Sequence, residues 1–329
     1  MQIEKKNREE LRKEGVRHQA AAGNEGIEPE EEMKAEKANV TEKGFEGVWY
    51  TDDSPKKRCL IVNITFGGGS VFVKSIAKWL IVNDCDALGL TISGSKQTGK
   101  NQSEIPVEYV ESAVKYLQDK GYEKIGIMGL SLGASMSLLA ASLIPELSLV
   151  ISLSGFDRVF EGVLGMGTQY PSGHSSFTWR GEEIPFQPFY LGKDEYIAAM
   201  KQAKAEHGEA YGRMLWENSL QKEVNEEAVI PVENIKGSIL MLGSATDTCW
   251  DTAGAAKRIA LRLKEKGSGA QVRVKTYEHG THFILPDNVP FISLMNRIAF
   301  KEWKTHNAEC KAARIDVRKK IEAQIREWV

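Results

Sequence analysis

Four cysteines in 329 residues, with no C-x-x-C pair among them, leave this chain without a disulfide framework or a cysteine-built zinc site. Cys59, Cys85, Cys249 and Cys310 are scattered in a way that suits a reducing compartment, and the cytoplasm is the default expectation. An excess of either charge is also missing: 43 basic side chains stand against 45 acidic ones. That balance argues against nucleic acid or an anionic membrane surface as the main partner, because both select a basic excess. No uninterrupted apolar run reaches the length of a membrane-spanning helix. Met1 to Glu14 is charged where an export signal needs an apolar stretch. What is left is an ordinary globular composition, 42% hydrophobic and 27% charged, which excludes disordered and collagen-like classes.

The charge is unevenly spread. Residues 1–44 carry 20 charged side chains and no aromatic one, so they can bury little apolar surface by themselves. They read as a solvated arm, or a helix laid on the body. Helix is possible around Glu9 to Val16, interrupted by Gly15, Gly23, Gly26 and Pro29. Residues 45–329 read as the folded domain.

From there strands and helices alternate. Cys59 to Phe66 is an apolar, β-branched strand that breaks at Gly67-Gly68-Gly69, and Val71 to Val82 has helical spacing. Ala87 to Ile92, Ile125 to Met128 and Leu149 to Leu153 read as strands. Val107 to Lys120 and Leu132 to Leu143 read as helices, ended by Gly121 and Pro145. The alternation lapses from Gly155 to about Pro231, then resumes with a strand at Ser238 to Leu242, a helix at Ala253 to Lys266, a strand at Val272 to Tyr277 and C-terminal helices. Such repeats imply an α/β protein with a mainly parallel, doubly wound sheet. The lapse is too long for a connection and reads as an inserted lid, about residues 156–231.

Chemistry enters at Gly129-Leu130-Ser131-Leu132-Gly133, a G-x-S-x-G between a predicted strand and a predicted helix. That context is what a nucleophile elbow requires, where a tight turn lifts the serine hydroxyl clear of the sheet. A serine needs a base and the base an orienting acid, in chain order serine, acid, histidine. His282 lies just past the last strand and leads over His279 as the base. Asp247 follows the strand at Ser238 to Leu242 and leads over Asp251, which reads as a helix N-cap. The oxyanion hole pairs the Leu132 amide with one from the glycine loop, Gly67 or Gly68. His279 and His282 stand three apart with no third ligand evident in the sequence, so no metal or bound cofactor is implied. Gly94 to Asn101 nearly matches a phosphate-binding loop but ends in asparagine, which lacks the magnesium-binding hydroxyl.

Taken together the chain resembles the α/β-hydrolase domain shared by acyl-CoA thioester hydrolases and the bile-acid-CoA:amino-acid N-acyltransferases. The resemblance runs from about Gly47 to the C-terminus. It rests on the elbow, the glycine loop, the lid stretch Phe177-Thr178-Trp179-Arg180-Gly181-Glu182-Glu183-Ile184-Pro185, and Ile230 to Gly237. It rests also on Asp247-Thr248-Cys249-Trp250 and Gly280-Thr281-His282-Phe283-Ile284. It implies Ser131, Asp247 and His282 as a triad. It does not extend to the N-terminal β-sandwich domain of animal members, which the charged arm is too short and polar to be. The nucleophile is serine where acyltransferase members resemble the pattern with cysteine, which implies hydrolysis rather than amino-acid conjugation.

The expected activity is therefore a serine hydrolase acting on a small-molecule acyl thioester or ester. Phe177, Trp179, Phe186, Phe189 and Tyr190 of the lid either line its acyl pocket or form plain lid core. A carboxylesterase or peptidase-like hydrolase, an N-acyltransferase and a non-catalytic binding protein are the competing expectations.

Overall fold

The structure, a computed structural model, describes residues 33–64, 67–165 and 169–328. The helix expected around Glu9 to Val16 lies outside the described residues, as does Phe66. The compact unit starts at Met33.

Eight strands form the main sheet: β1 (Lys34–Ala38), β2 (Glu46–Thr51), β3 (Arg58–Asn63), β4 (Asp86–Thr91), β5 (Lys124–Leu130), β6 (Leu147–Leu153), β7 (Ser238–Ser244) and β8 (Val272–Tyr277). Their order is β1-β2-β4-β3-β5-β6-β7-β8. Only β2 runs against its neighbours; every other adjacent pair is parallel. β1 corrects the boundary expected at residue 44. Lys34 to Ala38 pairs with β2, and Glu36 accepts hydrogen bonds from Tyr116 and Lys120 at 2.7 and 3.0 Å, so this part of the charged stretch belongs to the fold.

Both sheet faces are covered, as continuous apolar strands require. On one face Ile61, Ile127, Val150 and Ile239 meet α2 (Glu108–Asp119), α3 (Leu132–Leu143) and α6 (Thr252–Glu265). On the other, Leu60, Met128, Ile151 and Leu240 meet α1 (Val71–Val82), α7 (Ile292–Ala299) and the C-terminal α9 (Asn307–Glu327). The alternation along each strand feeds both layers, and each such side chain contributes about 1.5–3 kcal/mol of burial. Caps set the helix starts: Ser70 accepts the Val73 N–H at 3.3 Å and Asp251 the Gly254 N–H at 3.0 Å.

The stretch between β6 and β7 contributes no strand to the main sheet. It holds short strands and the helices α4 (Lys193–His207) and α5 (Arg213–Lys222). Phe156, Phe160, Phe189, Tyr196, Leu215 and Trp250 form a separate cluster beneath them. Gly94 to Asn101 closes a short hairpin, with the Gly94 N–H donating to the Gly99 carbonyl at 2.7 Å, and α2 begins only at Glu108. It is not a strand-to-helix phosphate loop. Among the described residues no helix is long and apolar enough to cross a membrane.

Candidate active site

Ser131 sits between β5 and α3 with φ 60° and ψ −128°, a conformation that non-glycine residues avoid. Two glycines let the chain turn there. A Cβ on Gly129 would stand 2.1 Å from the Gly133 carbonyl oxygen, and one on Gly133 2.2 Å from that of Asn63. The strain is held by the close packing of α3 on the strands, and its effect is to present the hydroxyl at the sheet's carboxyl end.

Two loops from the same end meet it. His282, after β8, places Nε2 2.8 Å from the Ser131 Oγ, and its Nδ1 is 2.8 Å from the Asp247 Oδ2. Asp247, after β7, accepts the Cys249 N–H on its other oxygen at 2.8 Å. His282 and Asp247 are buried, and Ser131 is half-buried. Burial alone would lower the His282 pKa. The Asp247 carboxylate, with Cys249 beside it, outweighs that, so the imidazole is held well above its ordinary 6.5.

Asp251 caps α6, as its position implied, and also pairs with Arg213 and Arg258 at 3.2 and 3.5 Å. His279 turns to the C-terminal helices, with Nδ1 2.7 Å from Glu302 and its ring stacked on His306.

One positioning residue, Ser154, carries no sequence signal. Ser154, with φ 51°, donates its N–H to the Leu242 carbonyl and its hydroxyl to the His282 carbonyl, and accepts the Trp250 indole N–H. Trp250 then stands edge-on to the His282 ring at 5.4 Å. One polar serine thus joins β7, the histidine loop and the loop that carries Trp250.

Of the expected oxyanion donors, Leu132 opens α3, where an amide has no carbonyl four residues back within the helix. Gly68 is a correction. Its N–H donates to the Thr91 Oγ1 at 2.8 Å, and a Cβ there would stand 2.0 Å from the Gly89 carbonyl. It is a packing glycine whose amide is already committed. Gly67, with φ 75°, is the remaining glycine of the pair.

A cavity of about 280 Å³ opens on Ser131, Leu132 and His282, walled by Tyr196, Trp216 and Trp250. The lid aromatics named from sequence are a second correction, because none of Phe177, Trp179, Phe186 or Phe189 lines it. Residues 177–179 pair with Ile105–Pro106, so Phe177, Trp179 and Phe186 pack into the core shared with α2 and α3. Phe189 lies in the cap cluster against Phe160, Tyr196 and Trp216. The cavity shares Gln169, Tyr196, Met200 and Ala210 with a second one, also about 280 Å³, whose walls include Lys201 and Lys204. A larger open groove of about 1070 Å³ lies against Leu294, Ile298, Trp303 and Lys311 and contains none of these residues.

A serine raised on a strained strand-to-helix turn, beneath a cap and at the carboxyl end of a doubly wound sheet, defines the α/β-hydrolase fold. A dienelactone hydrolase-like promiscuous phosphotriesterase from metagenomic libraries superposes with a TM-score of 0.51 at 12% identity, covering 90% of this chain and 98% of that one. The chain belongs to the family described as BAAT / Acyl-CoA thioester hydrolase C terminal, which matches residues 105–313. Relatives include a peroxisomal succinyl-coenzyme A thioesterase of Mus musculus, 27% identical, with 71% of this chain and 52% of that protein covered. The mitochondrial acyl-coenzyme A thioesterase 2 of Rattus norvegicus is 24% identical over 69% of this chain and 46% of its own length. The chain thus spans about half the length of the curated relatives it matches.

Proposed function

We propose that the chain is a serine-dependent hydrolase of acyl thioesters, with an acyl-CoA as substrate. The observation that carries this reading is the hydrogen-bonded line Asp247–His282–Ser131, at 2.8 Å in both links, opening on a cavity. Family membership points to the same chemistry.

In this mechanism His282 Nε2 takes the Ser131 proton as Oγ attacks the thioester carbonyl. Asp247 holds the imidazole in the required tautomer and stabilises the imidazolium. The Leu132 amide, with Gly67 as the second donor, faces the oxyanion; one such donor contributes about 2.7–4 kcal/mol. The tetrahedral adduct collapses by breaking the C–S bond, and His282 returns its proton to the departing thiolate. Water, deprotonated by His282, then attacks the acyl-serine and releases the carboxylic acid and free Ser131. The aromatic walls at Tyr196, Trp216 and Trp250 suit an acyl chain, and Lys201 and Lys204 suit an anionic leaving group. The four unpaired cysteines fit a reducing compartment such as the cytoplasm.

A panel of acyl-CoAs of varied chain length, read by free-thiol release beside neutral aryl esters, tests this reading. Turnover of acyl-CoA that disappears in Ser131→Ala supports it. Turnover of esters alone would replace it with a carboxylesterase, and fluorophosphonate labelling that survives Ser131→Ala would remove the triad.

A further inference from the structure

The fold gathers a second set of metal-ligating side chains beside the histidine loop. His279, just past β8, meets Glu302 of α8 (Lys301–Thr305) and His306, which joins α8 to α9. His279 Nδ1 lies 2.7 Å and His306 Nδ1 3.1 Å from the same Glu302 Oε1. The two imidazoles stack at 3.8 Å with 13° between their planes, so one ring must swing out of the stack for both Nδ1 lone pairs to meet one ion. All three ligand atoms lie within 4.8 Å of one another.

We propose that His279, Glu302 and His306 form a binding site for a zinc-type divalent cation, which clamps the loop bearing His282 to the C-terminal helices. Two imidazole nitrogens and one carboxylate oxygen are a borderline donor set that zinc accepts with tetrahedral geometry and one open position. At zinc bond lengths of about 2.0–2.1 Å, tetrahedral ligand atoms stand about 3.3 Å apart. The two separations from the Glu302 oxygen, 2.7 and 3.1 Å, need to open by about 0.6 and 0.2 Å. The side chains are 28%, 15% and 40% exposed, which leaves an entry path and room for a fourth ligand from solvent.

Among the described residues two other groupings have ligand atoms as close. Glu104, His174 and Glu183 are all exposed. Asp247, Cys249 and His282 belong to the site already described, and a cation there would have to compete with its hydrogen bonds.

The test uses the full chain, stripped of metal with a chelator and titrated with Zn²⁺ against a chromophoric chelator. One tight equivalent per chain is expected, lost in His306→Ala and Glu302→Gln and kept in Cys249→Ala. Circular dichroism confirms that each variant is folded. Co²⁺ in place of Zn²⁺ should give visible bands of a four-coordinate site without a thiolate charge-transfer band. Saturating Zn²⁺ should raise the thermal midpoint of the wild type and leave that of His306→Ala unchanged. No stoichiometric binding would overturn the proposal. So would an equivalent that survives His306→Ala, or that is lost in Cys249→Ala with a thiolate–cobalt band in the wild type. None of these readouts depends on acyl-CoA turnover, so the site stands or falls separately from the proposed activity.

Discussion

The Thr246 hydroxyl donates to the Gly280 carbonyl at 2.8 Å and accepts the Gly280 N–H at 3.2 Å. One residue before Asp247 is thus tied both ways to one two residues before His282. The loops after β7 and β8 carry Asp247 and His282, and this reciprocal pair fixes their spacing. Thr246→Val keeps the shape and removes both bonds. At about 1 kcal/mol for each, the misplacement should lower kcat/KM about thirtyfold, with the fall mainly in kcat. Thr246→Ser should restore most of it in a thiol-release assay.

The pH dependence follows from His282. In the proposed mechanism its imidazole must be neutral to accept the serine proton, and Asp247 holds it charged to a higher pH than usual. The value of kcat/KM should therefore rise with pH through a midpoint above 6.5. Asp247→Asn removes the group that raises that midpoint. The profile should move to lower pH while the rate falls by about four orders of magnitude. A midpoint that stays in place would show that Asp247 does not set the proton affinity of His282.

Lys201 and Lys204 wall the cavity that adjoins the one at Ser131. If they meet the phosphates of a CoA leaving group, the double alanine variant should raise KM for acyl-CoA about tenfold. KM for a neutral aryl ester should stay level, and the effect should shrink as salt rises. An equal change for both substrates would place the lysines outside leaving-group recognition.

Arg314 is buried in α9 and holds the segment that follows His282. Its guanidinium donates to the carbonyls of Leu285, Pro286 and Val289 and to the Ser293 hydroxyl, at 2.6–3.3 Å. Burial lowers its pKa to about 10, so it stays charged at neutral pH. Arg314→Met would remove those four hydrogen bonds, at a cost of about 3 kcal/mol. Urea denaturation should show that loss.

The parts of this fold that could be read from sequence are those with strong local signals. Val71–Val82, Leu132–Leu143 and Val272–Tyr277 have the expected ends, because Ser70, Pro145 and the strand's β-branched residues mark them. The elbow was legible since its spacing and its strand–helix setting coincide. The lid was legible only as an interruption. α4, a run of lysines, glutamates and alanines, has a weak apolar face, and Trp216 lies in an equally polar helix. Which aromatic faces the cavity depends on the pairing of residues 177–179 with Ile105–Pro106, a contact across distant segments that no local pattern records. Gly68 was ambiguous for a similar reason: its amide is taken by Thr91, a residue on another strand.

The edge strand Lys34–Ala38 has one more consequence, for the solubility of the whole molecule. It leaves the sheet ending on Lys34, Ala35, Glu36 and Lys37, all exposed, and a charged edge of that kind resists the addition of a strand from another molecule. A chain starting at Phe45 would end instead on β2, with Val48, Trp49 and Tyr50 along an open row of backbone donors and acceptors. Such a chain should fold and then associate, visible as light scattering that grows with concentration. The charges that set this end of the sequence apart serve, at least in this strand, as the guard that keeps one copy of the sheet from extending into the next.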